Sequence, residues 1–126
     1  MRIAIMLTAL MGVVGLTGPV RAAQTLASPA IFGSFSQTTA VCTIGNSGAT
    51  AVAVEVHIYD ESGNIVSGSG NCTSIEPHFI CSIAAAINFG VAYACSATTP
   101  DSAKKLRGAL VLEDADGVLL RSAELQ

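Results

Sequence analysis

The chain has 126 residues, 51% of them hydrophobic, 12% charged and 5% aromatic, with four cysteines and no tryptophan. Six Lys+Arg stand against nine Asp+Glu, a formal net charge of −3, which argues against nucleic acid or an anionic membrane as partner because both reward clustered cations. The length allows one domain, small enough that an apolar core alone gives modest stability.

Met1-Arg2 forms a short positive start, Ile3 to Leu16 is apolar and uncharged, and Val20-Arg21-Ala22 offers small residues at the two positions a signal peptidase reads. Residues 1–22 are therefore predicted to be a signal peptide cleaved after Ala22. The apolar run is shorter than the roughly 20 residues a spanning helix needs, and Thr17-Gly18-Pro19 ends it. A lipid anchor would need a cysteine at the cleavage point, and the first is Cys42. The expected product is soluble and periplasmic or extracellular, without stable membrane insertion. Cleavage removes Arg2, Arg21 and all three methionines, Met1, Met6 and Met11, leaving four basic and nine acidic residues. A copper site built on methionine is thereby lost.

Residues 23–36 read as an N-terminal tail or a short first strand around Ile31 to Phe35, and 37–126 as the folded domain. Thr38 to Ile44 alternates as a strand, followed by the turn-forming Gly45-Asn46-Ser47-Gly48. Ala51 to Asp60 is the clearest strand, with Val52, Val54, Val56 and Ile58 on one face and Glu55, His57 and Tyr59 on the other. These two strands are expected to pair antiparallel. Asp60 to Asn64 is a turn in which Gly63 takes a left-handed conformation, leading into Ile65-Val66. Gly68-Ser69-Gly70 reads as a flexible edge or bulge. Asn71 to Ile75 is predicted to pair with Phe79 to Ala85 across Glu76-Pro77-His78.

Ile83 to Phe89 reads as strand or as a single helical turn, since three successive alanines favour helix. Gly90 to Ala97 is another strand, and Thr98 to Ser102 a loop. Lys104, Lys105 and Arg107 form the one basic cluster, read as a solvated loop rather than a phosphate site. Leu106 to Leu112 and Val118 to Ala123 make a last hairpin across Asp114-Ala115-Asp116-Gly117. The pattern predicts an all-β fold, a single antiparallel β-sandwich of about seven or eight strands.

Asn46-Ser47-Gly48, the strand from Val52 to Asp60, Gly63-Asn64 and Ile75-Glu76-Pro77 together resemble the B-C-C′-E part of immunoglobulin-like β-sandwiches of small exported bacterial proteins with no assigned role. Tyr93-Ala94-Cys95 is similar to the tyrosine corner, in which a tyrosine two residues before the second core cysteine bonds back to the backbone. The chain departs from that family in having no tryptophan and no acidic residue shortly before the tyrosine. The resemblance implies an architecture and no activity.

In an oxidising compartment Cys42, Cys72, Cys81 and Cys95 are expected to form disulfides, with three pairings open. Cys42–Cys95 as a core bridge with Cys72–Cys81 as a hairpin staple is favoured, and Cys42–Cys72 with Cys81–Cys95 is the rival. Redox or zinc chemistry lacks support, since no Cys-x-x-Cys occurs.

No catalytic residues and no cofactor are predicted. Any nucleophilic triad would need His57 or His78, and Gly68-Ser69-Gly70 lacks the context of a nucleophile elbow. Asp114 and Asp116 are explained as an acidic turn rather than a calcium loop. Asn71-Cys72-Thr73 fits a glycosylation acceptor only in a eukaryotic secretory route. The candidate ligand-binding residues are Glu55, His57 and Tyr59 on the outward face of one strand. The expected function is a non-enzymatic exported sandwich with a structural or protein- or glycan-binding role. Its alternatives are a polymerising surface subunit that adds residues 23–37 to a neighbour's sheet edge, and a small-ligand or metal module around His57.

Overall fold

The computed structural model describes residues 22–66, 70 and 72–126. The predicted signal segment up to Arg21, the Gly68-Ser69 part of the expected bulge and Asn71 of the glycosylation-like triplet lie outside the described residues. Ten strands are described: β1 (Gln24–Ala27), β2 (Gln37–Asn46), β3 (Val52–Ala53), β4 (Glu55–Asp60), β5 (Ile65–Val66), β6 (Ser74–Ile75), β7 (Ile80–Ala86), β8 (Tyr93–Thr99), β9 (Leu106–Asp114) and β10 (Leu119–Leu125). A single 3-10 turn at Ala103–Lys105 precedes β9.

The fold is all-β, a sandwich of two antiparallel four-stranded sheets ordered β1-β8-β4-β5 and β10-β9-β2-β7, with the short ribbon β3-β6 beside them. Alternation along β2 buries Ala40, Cys42 and Ile44, and along β8 it buries Tyr93, Cys95 and Ala97. These faces meet Ile58 of β4 and Leu110 and Leu112 of β9, all shielded from solvent. Cys42 and Cys95 bridge the two sheets, with Cα atoms 6.1 Å apart and a sequence separation of 53. Cys72 and Cys81 form the second bridge, Cα atoms 5.6 Å apart. The favoured pairing is the one present, and both bonds require an oxidising environment to form.

Several expected pairings are corrected. β2 and β4 do not form a hairpin: β2 lies between β7 and β9, and β4 between β8 and β5, in opposite sheets. The segment between them changes sheets because Asn46, itself buried, donates through Nδ2 to the carbonyls of Thr50 (2.8 Å) and Ile75 (3.0 Å) and accepts the Gly48 N–H (2.8 Å). The strand expected from Ala51 to Asp60 is consequently split. Val52-Ala53 pairs with β6, so β6 does not pair with β7. The Ile83 to Phe89 segment is strand as far as Ala86.

The first strand forms at Gln24–Ala27, not at Ile31 to Phe35, and runs antiparallel to β8. Of the later segment only Ile31 makes a bridge, to Tyr93. Ala27 exchanges two backbone hydrogen bonds of 3.1 Å with Gln126, so the outer strands of the two sheets touch along one side. Two turns form as expected. Asp60 receives the Gly63 N–H at its carbonyl, with Gly63 at φ 81°, and Asp114 does the same for Gly117 at φ 75°.

Candidate functional site

Glu55, His57 and Tyr59 are brought together on the outer face of β4, as their alternation requires. His57 Nε2 lies 2.7 Å from Glu55 Oε1, with side-chain exposures of 30% and 74% respectively. The imidazole and the Tyr59 ring meet edge to face with centroids 6.0 Å apart. Across β8 their neighbours are Thr98, Ser96 and Ala94. The arrangement is an open, flat patch with one carboxylate and one imidazole. Among the described residues no group of three His, Cys, Asp or Glu side chains is placed to hold a metal ion.

A second assembly, which sequence reasoning passed over, lies at the end of the sandwich where β2 begins and β9 ends. Gln37, 1% exposed, accepts the N–H groups of Gly33 (2.9 Å) and Ser34 (3.4 Å) through Oε1. Its Nε2 donates to the carbonyls of Asn88 (2.8 Å) and Val91 (2.6 Å). One buried amide thus ties the β1–β2 loop to the β7–β8 loop. The Tyr93 hydroxyl accepts the Asn88 N–H at 3.0 Å, and the Glu61 carboxylate accepts the Ala92 N–H at 3.1 Å.

Held this way, the two loops turn their aromatic rings outward. Phe35 is 77% exposed and Phe89 69%, while Phe32 packs edge to face on Phe35 at 5.5 Å. A Cβ on Gly90, at φ 79°, would come within 3.6 Å of the Phe35 ring, so the two loops are in contact. Gly33 lies against Leu120 in the same way, and exposed Val118 and Leu119 extend the apolar surface onto the last hairpin. All four phenylalanines of the chain are exposed, the fourth being Phe79 at the opposite end. Solvent-facing phenyl rings clustered on tied loops form the kind of patch that marks an interaction surface. The signal available in the sequence was their setting: each of these phenylalanines sits among glycine, serine, proline or asparagine, outside the alternating strand patterns.

The opposite end carries Lys104, Lys105, Arg107 and His78. Glu76 to Phe79 is a turn with Pro77 second and His78 third, closed by the Phe79 N–H on the Glu76 carbonyl (3.1 Å), with His78 at φ 65°. Beside it a groove of about 550 Å³ opens on the outer face of the second sheet, floored by Gly45 and Ala109 and walled by Ile80, Arg107 and Glu124. Among groups with a displaced pKa, Asp60 is held below its ordinary value, first by the Asn64 side-chain amide and then by backbone N–H groups of the same turn. That is the chemistry of the turn itself. No family model, curated protein or solved structure matches the chain.

Proposed function

We propose that this chain is a non-enzymatic, exported, disulfide-stapled sandwich that binds a protein or glycan partner, and that the aromatic loop end is where it binds. The observation that carries this reading is the pairing of exposed Phe35 and Phe89 with the buried Gln37 that fixes their loops. Exposed rings on a preorganised frame lose little conformational entropy on binding. Export is supported by the two disulfides together with the leader-like segment at 1–22.

An immunoglobulin-like relationship is part of the proposal. In its favour are the inter-sheet Cys42–Cys95 bridge, the Tyr93 hydroxyl bonded to the backbone five residues upstream, and the neighbouring order β8-β4-β5 facing β2-β7. The outer strands depart from that plan: β1 flanks β8 and β9 flanks β2, the reverse of the first and last strands of an immunoglobulin domain.

The test is a photo-crosslinking residue placed at Phe89 or, separately, at His57, with irradiation of the exported fraction. Specific adducts from position 89 and none from 57 are expected. Adducts from 57 alone would move the binding surface to β4. The small-ligand alternative rests on the Glu55–His57 contact beside Tyr59, and heat on calorimetric titration with zinc that is lost in Glu55→Gln would favour it. Polymerisation by strand addition would require β1 to leave β8 of its own chain, where it is paired from Gln24 to Ala27.

A further inference from the structure

The two ends of the sandwich differ in charge and shape. Around the aromatic end lie Asp60, Glu61, Glu113, Asp114 and Asp116, with Arg121 on β10 the one nearby cation among the described residues. Two of these carboxylates belong to the apolar surface itself: Glu61 caps the loop carrying Phe89, and Asp114 Oδ1 accepts the Val118 N–H at 2.9 Å. At the other end Lys104, Lys105 and Arg107 stand together against Glu55, Glu76, Asp101 and Glu124, so this end is far less acidic than the first and holds the one cluster of cations among the described residues. Arg107 is fixed beside the groove by donating through Nη1 to the carbonyls of Lys104 (3.1 Å) and Leu106 (2.6 Å).

Shape agrees with charge. The aromatic end is a projection of phenyl rings, whereas the groove is a hollow that exists because Gly45 and Ala109 leave a bare floor between Ile80 and Glu124. Ile80 is 69% exposed and supplies an apolar wall. A volume of about 550 Å³ lies within the range that accepts a small ligand or a few side chains.

We infer that the groove of one copy receives the aromatic end of a second copy, so that chains join head to tail. This rests on the reading of the aromatic end as a binding surface, and it names the partner. Burying Phe35 and Phe89 against Ile80 removes the exposed apolar surface of both ends at once. Asp114, Asp116 and Glu61 are then brought toward Arg107 and the two lysines. Because the two surfaces differ, the contact is heterologous, and each added copy leaves one free projection and one free groove. Growth continues unless the rotation between copies closes a ring.

The test uses the disulfide-bonded protein expressed with its own leader, followed by sedimentation velocity up to about 1 mM, where association as weak as about 4 kcal/mol registers. Species larger than dimers are expected, fewer as salt rises. Phe35→Ser and Ile80→Ser alter exposed side chains, and each should weaken association at least about tenfold. Mixing these two variants is decisive: one retains a groove and the other a projection, so they should form a one-to-one dimer and nothing larger. A wild-type monomer at the highest concentration, or a mixture that yields no such dimer, overturns the inference. If the wild type stays monomeric while a crosslinker at position 89 captures another protein, self-association fails and the binding surface stands. Flotation of the wild type with phosphatidylcholine vesicles, lost in Phe35→Ser, would instead make the occupant a lipid surface.

Discussion

Replacing Gln37 by leucine keeps the bulk of the side chain and deletes its amide. Three well-formed hydrogen bonds disappear, those to Gly33 N, Asn88 O and Val91 O at 2.9, 2.8 and 2.6 Å, and the longer one to Ser34 N goes with them. At about 1 kcal/mol net for each good bond, and more where a partner is left buried and unpaired, the cost is about 3 kcal/mol. Urea unfolding should show the midpoint falling with an unchanged slope, the sign of lost stability rather than of a changed unfolded state. Glutamate at the same position sharpens the reasoning. Its carboxylate would face the two carbonyls to which Nε2 now donates, so the folded state favours the protonated acid and raises its pKa. The variant is then closest to wild type below the unfolded carboxyl value of about 4.3 and loses ground as pH rises through the raised folded value. The deficit of Gln37→Glu should therefore be smaller at pH 4 than at pH 7. A leucine variant within about 0.5 kcal/mol of wild type, or a glutamate deficit that ignores pH, would refute the role given to this amide.

The two disulfides should differ in weight. Closing 53 residues, Cys42–Cys95 contributes about 4 kcal/mol by the loop-entropy relation, against about 2.5 kcal/mol for the short Cys72–Cys81 loop, so Cys72→Ala/Cys81→Ala should unfold at higher denaturant than Cys42→Ala/Cys95→Ala. Two strand glycines should also separate. A Cβ on Gly108 would lie 2.6 Å from Ile44 Cδ1 and 2.8 Å from the Thr43 carbonyl, so Gly108→Ala should cost about 2 kcal/mol by calorimetry, while Gly45→Ala, whose nearest contact is 3.6 Å, should stay within about 0.5 kcal/mol. Asp60, whose pKa is lowered by Asn64 and the turn amides, supports folding above the ordinary carboxyl value and ceases to as pH falls through its depressed value. The stability gap between wild type and Asp60→Asn, followed by thermal melts, should close toward acid pH, and a gap that widens would contradict the assignment.

What could be read from the sequence was what local chemistry decides. The β9–β10 hairpin was legible because Asp114 Oδ1 gathers the N–H groups of Asp116 and Val118, and Gly117 supplies the positive φ, all within five residues. The Asp60 turn works the same way through Ser62 and Asn64. The faces of β4 followed from alternation, which is why Glu55, His57 and Tyr59 emerged together on the outside. Pairing between strands distant in sequence was not legible. β2 finds β9 more than 60 residues later (Cys42 opposite Leu110), and alternation states which face of a strand is buried without stating beside which strand it lies.

The aromatic end was hidden for a related reason. A phenylalanine is ordinarily counted toward the core, and nothing in the alternation of strands distinguishes one that faces water. The distinction is made by Gln37, and a glutamine at the start of a strand reads as polar and therefore outward. It points inward because two loops present N–H and C=O groups that no strand satisfies, and one side-chain amide has the two donors and the acceptor to meet them. Asn46 solves the same problem at the other end of β2, for Thr50, Ile75 and Gly48. Strand β2, central in its sheet, is thus bounded by two amides that organise the loops at both ends, which leaves Phe35 and Phe89 free to face outward on a fixed frame. The proposed binding surface and the fold are coupled through Gln37. A substitution there that spares folding would still loosen the rings, and it should weaken association at the aromatic end more than it lowers the melting point.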